Sequence, residues 1–300
     1  MNINNEEIEK FNNDFGDIYW ENIIKDIKTN IYSILKNELL DNRYKIKPNI
    51  NLIFNEANEG DIFPKVIKIN KHDFEILINI KLLRILKYYS WFIIQKNPFF
   101  EGFNPKYPSK CSNLADHVFI VWIFHIIFHE FAHIINGHFE AIERTNKNLI
   151  NFEIDADWLG TRLTTNYFVM ILNGLIINLE LNNLSLVKNF FRTIFFLIYL
   201  FTKIKDDENN KNNTHPNLLF RITILGAKIA EVLFQKKDTS KLDKENILEI
   251  VNEIAFEYAY LYHKDNNLEI KNALKFFNNL YTNYKNFKED IELFKYNYFK

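Results

Sequence analysis

The chain has one cysteine, Cys111, in 300 residues, so no disulfide can form within it. That fits a reducing compartment and leads us to expect a cytoplasmic protein. Glycine and proline are scarce, at 7 and 6 residues, which disfavours a turn-rich β architecture and favours long helices. There is no surplus of charge: 37 basic against 38 acidic side chains give a net charge of −1, which argues against nucleic acid as the main partner. The first residues, MNINNEEIEKFNND, lack a basic segment followed by an apolar one, so no signal peptide is expected. The most membrane-like run, TIFFLIYLFT at 193–202, is too short to span a bilayer as a helix. Lys188, Asn189 and Arg192 precede it. It is predicted to be a buried core helix, and no transmembrane segment is expected.

Hydrophobic residues make up 47% of the chain and aromatic residues 16%, including 29 phenylalanines, enough for a sizeable core. Isoleucines and leucines at helical spacing predict an amphipathic helix over 17–41. Strands are expected at 49–54 and 66–70, with 74–80 ambiguous between strand and helix entry. Further helices are predicted over 81–95, 114–136, 153–181, 184–205 and 216–235, followed by two or three more from about 244. Asn113 reads as an N-cap of the 114–136 helix, with Asp116 three residues on and Gly137 closing it. The expected fold class is α+β, mainly helical, with a small sheet before the helix that carries the chemistry. The whole chain reads as one domain, with a core at about 45–235 and a helical extension at about 244–300.

The chemistry lies in HEFAH, residues 129–133. His129 and His133 are four apart on one helix face, so their imidazoles can share one tetrahedral metal. Glu130 is rotated off that face and can reach a water in the metal's fourth position. The surrounding Ile126, Ile127, Ile134 and Ile135 supply the dry setting that a catalytic zinc needs. A third ligand is required. His138 follows His133 by five and does not fit the spacing of a third histidine on an extended HExxH motif. Glu153, in EIDAD at 153–157, can provide the ligand from a following helix. Asp157 shares its face and can accept the ring N–H of a ligand histidine. Asp155 is expected to be a solvated or helix-start carboxylate. His125 lies one turn before His129, too far along the axis to join the same metal with both others, and is expected to be packed or to support a ligand from behind.

HExxH followed by ExxxD resembles the gluzincin pattern of zinc metallopeptidases. The texture is similar to CAAX-prenyl-protease-like peptidases and minigluzincins, through HEFAHIINGH, EIDAD, Thr214-His215-Pro216 and Arg221-Ile222. In length, motif and the expected lack of membrane spans, the chain also resembles phage-exclusion peptidases of the Lit type. The resemblance implies a zincin-like fold with one Zn2+ per chain. It implies an endopeptidase in which Glu130 is the general base and His215 donates to the oxyanion. Arg221 would pair with Asp157 or Asp155. The substrate would be an intracellular protein or peptide, in phage defence or a stress response. A different class remains open: a non-catalytic, zinc-stabilised regulatory or immunity-type binding protein. The polar stretch 206–213, just before His215, could act as a movable lid or simply be disordered.

Overall fold

The computed structural model describes residues 5–40, 47–56, 62–96, 108–145, 149–179, 183–207, 218–235 and 244–265. Within them the fold is mainly helical with a three-stranded sheet. The chain divides into two compact units, 4–139 and 140–300, the second together with residues 1–3.

The first unit opens with α1 (Asn5–Asn12) and α2 (Asp17–Leu40). The strands β1 (Asn49–Asn55), β2 (Lys65–Lys68) and β3 (Asp73–Asn79) follow, then α3 (Ile80–Lys96), α4 (Pro108–Ile135) and the first residues of α5 (His138–Thr145). The ambiguous segment at 74–80 is a strand, because Phe74, Ile76 and Ile78 alternate into the core. It is the central strand of the order β1-β3-β2, parallel to β1 and antiparallel to β2. Asn70 shapes the turn between β2 and β3: its Oδ1 accepts the backbone N–H groups of His72 and Asp73.

The sheet has two edges, and one is partly sealed. The Leu52 N–H on β1 donates to the Tyr32 hydroxyl of α2 at 2.8 Å. Both β2 and β3 pack against α4, which also packs along α3. Lys87 on α3 is buried under the rings of Phe15, Tyr19 and Phe119 and pairs with Asp116 of α4. Tyr88 donates to Glu7 of α1 at 2.8 Å. Its burial and the neighbouring carboxylate push its pKa up to about 12.

Two expectations for α4 are corrected. The helix starts at Pro108, where a missing N–H costs nothing. Asn113 is therefore an interior residue and no cap. Asp116 serves the ion pair with Lys87, and no capping box forms. The segment 115–135 is also long and apolar enough to cross a membrane, with 83% of that window buried inside the protein. By length and composition it is thus a stronger span candidate than 193–202.

The second unit contains most of α5, then α6 (Leu149–Leu179), α7 (Asn183–Asp207), α8 (Leu218–Gln235) and α9 (Lys244–Asp265). α6 packs on α8, and α7, α8 and α9 pack on one another. The run 193–200 within α7 is buried throughout, as expected of a core helix. Arg192 is also buried, its guanidinium held by Glu257 at 2.8 and 3.1 Å. At Gly226 an added Cβ would lie 2.8 Å from Val251 Cγ1 and 3.2 Å from Phe195 Cζ. A glycine is what lets α8 approach α7 and α9 this closely.

Candidate metal centre

α4 is buried on nearly every side from Val118 to Ile135, so the polar groups within it must meet partners in the interior. The four-residue spacing puts His129 and His133 one turn apart on one face. His129 is buried and His133 half-buried. Their rings meet edge to face with centroids 4.9 Å apart, and their Nε2 atoms are separated by 3.2 Å. A tetrahedral zinc at about 2.05 Å from each nitrogen would set such a pair about 3.3 Å apart. Both rings therefore present the correct nitrogens at a spacing that suits shared ligation.

His129, His133 and Glu153 form a group that could hold a metal ion. Two imidazoles and a carboxylate form the donor set of catalytic zinc sites, in which a fourth position is left for water. Glu130 is half-buried, one residue beyond His129.

On α6, Glu153 is half-buried and Asp157, one turn on, is fully buried. Asp157 is bound by Arg221 of α8 in a two-pronged pair. Nε donates to Oδ2 at 2.6 Å and Nη2 to Oδ1 at 2.7 Å. Burial alone would lower the Arg221 pKa, but Asp157, with a smaller contribution from Glu153, holds it above its ordinary value. Of the two partners expected for Arg221, this is Asp157. Asp155 differs from expectation. It lies within α6, which begins at Leu149, and is 4% exposed, so it is a buried carboxylate rather than a solvated one. His125 is buried, as expected of a packed residue. His215, with Thr214 and Pro216, and most of the 206–213 stretch lie outside the described residues.

One residue of the site escaped the sequence reading. His138 is 1% exposed, and its Nδ1 lies 2.9 Å from Nδ1 of His133. On a straight helix, residues five apart point about 140° from each other and sit about 7.5 Å apart along the axis. The break at Gly137 removes that obstacle. Gly137 has φ 69°, the left-handed conformation that ends α4, and its N–H donates to the Ile134 carbonyl at 3.1 Å. The chain reverses there, and the first residue of α5 returns to the face of His133. The Gly-His step was the available signal, since a C-terminal glycine abolishes the register that the spacing argument assumes.

Against known proteins, no family model matches the chain, and no curated protein or solved structure matches it.

Proposed function

We propose that the chain is a zinc-dependent endopeptidase of gluzincin type, with one zinc per chain held by His129, His133 and Glu153. The observation that carries this reading is the 3.2 Å Nε2–Nε2 spacing of the histidines, within a donor set that includes Glu153. Bound there, zinc would bring the pKa of its water toward about 7 and polarise a scissile carbonyl.

Glu130 follows a ligand histidine directly. It takes the proton of the attacking water and hands it to the leaving amine. Asp157, fixed by Arg221, is the proposed acceptor for the ring N–H of a ligand histidine. His215 remains the proposed donor to the oxyanion. A peptide substrate would add to the sheet in extended form. β2 is the better edge for it, because β1 has its Leu52 N–H engaged by Tyr32 whereas β2 packs with α4.

The test combines two measurements. Metal analysis of the purified protein should return one zinc per chain, and its absence would remove the reading altogether. Terminal-labelling proteomics on cells expressing the wild type or Glu130→Gln should show cleavages that only the wild type makes. Zinc at full stoichiometry with no such cleavage would favour the non-catalytic binding protein. Recovery in a detergent-free fraction is expected if the chain acts on intracellular proteins.

A further inference from the structure

We infer that His138 is a positioning residue for the metal centre: it accepts the Nδ1–H of His133 and so fixes that ring with Nε2 free to bind metal. This rests on the proposal that His133 is a zinc ligand. A neutral imidazole carries one proton, on either Nδ1 or Nε2. Ligation through Nε2 therefore requires the proton on Nδ1 and a hydrogen-bond acceptor opposite it. The atom opposite is Nδ1 of His138, at 2.9 Å, in the usual range for N–H···N contact. Two contacts of His133 thus lie on different ring nitrogens. Its Nε2 faces His129 at 3.2 Å, and its Nδ1 faces a hydrogen-bond partner.

The chemistry of the acceptor sets the second proton. For His138 Nδ1 to accept, its own proton must sit on Nε2. Burial of His138 at 1% exposure keeps water from competing for His133 Nδ1, and the edge-to-face ring contact, with centroids at 4.9 Å and 76° between planes, restricts rotation of both imidazoles. A carboxylate in this position would add negative charge beside the metal. An imidazole orients the ligand without doing so, leaving Glu153 as the only anionic ligand of the proposed set.

Two near-isosteric variants isolate the acceptor. His138→Asn keeps an oxygen close to the position of Nδ1, while His138→Leu keeps the branching and removes the acceptor. Zinc affinity is measured by competition with a chromophoric chelator. It should fall roughly 10–100-fold in the Leu variant, the usual effect of losing such a partner, and recover most of that in the Asn variant. Cobalt(II)-loaded protein gives a second readout: the visible bands should change in the Leu variant and return toward wild type with Asn. Equal zinc affinity and equal cobalt spectra in wild type and Leu variant would overturn the positioning role while leaving the metal centre intact. A wild type that binds no zinc would instead remove the metal centre, and this inference with it. Should the Leu variant not fold, the Asn variant decides alone. A wild-type cobalt spectrum supports the role, and a spectrum as altered as that of His133→Ala overturns it.

Discussion

Arg221 clasps both oxygens of Asp157, at 2.6 and 2.7 Å, with each side chain buried. The pair joins α8 to α6 one turn beyond Glu153. Its two ends are unequal in what they leave behind. Removing the cation strands a carboxylate in the interior, which costs about 3–5 kcal/mol. Arg221→Met should therefore lower the urea midpoint of the zinc-free protein sharply. The double variant Arg221→Met/Asp157→Asn should recover much of the loss. If the single variant were as stable as the wild type, the pair would contribute nothing to holding α6 and α8 together.

Gly137 is the second place where one atom matters. An alanine there would have to adopt φ near 69°, at a cost of roughly 1–2 kcal/mol. The alternative is to continue the helix, which would carry His138 off the face of His133. Gly137→Ala should consequently lower both thermal stability and zinc affinity. Unchanged zinc affinity would show that the reversal is not needed for the site.

At Gly226 the effect should be confined to packing. A methyl group 2.8 Å from Val251 Cγ1 forces α8 away from α9 and Phe195, an overpacking cost of about 1–3 kcal/mol. Gly226→Ala should lower the melting temperature, and Gly226→Ala/Val251→Ala should restore part of it. Zinc stoichiometry should stay at the wild-type value in both.

Tyr88 predicts an alkaline transition. Its pKa in the fold, about 12, is raised above the ordinary value of about 10, so the folded state favours the protonated phenol. The stabilisation it provides is complete below about pH 10 and is lost as pH rises toward 12. Hydrogen exchange in α1, which Tyr88 holds through Glu7, should accelerate across that window. In Tyr88→Phe it should already be faster at neutral pH and show no such step.

Much of the candidate site was legible because it is local. His129 with His133, and Glu153 with Asp157, each stand four apart on one helix, a relationship that spacing alone reveals. The partner of Arg221 was narrowed to two carboxylates but not to one, since α6 and α8 are joined only in the tertiary fold. Burial of Asp155 was illegible for the same reason: its helix position gives a direction and says nothing of what covers it. Asn113 misled because its capping propensity is real, but Pro108 had already supplied a start five residues earlier. His138 was set aside because its spacing was counted along an unbroken helix that Gly137 interrupts. The helices at 5–12 and 138–145 were missed because each is only eight residues long, too short for periodicity to stand out.

The apolar character of α4 has a consequence for how the protein is made. From Val118 to Ile135 the only formally charged residue is Glu130. By length and composition alone, residues 115–135 could cross a membrane. In the finished fold most of this segment is covered by protein. There the segment packs on α3 and the sheet, whose residues are synthesised first. The order of elements along the chain gives the nascent protein its cover before the motif emerges. Residues 115–135 placed alone in a glycosylation reporter should insert, whereas the same residues preceded by 1–114 should insert less.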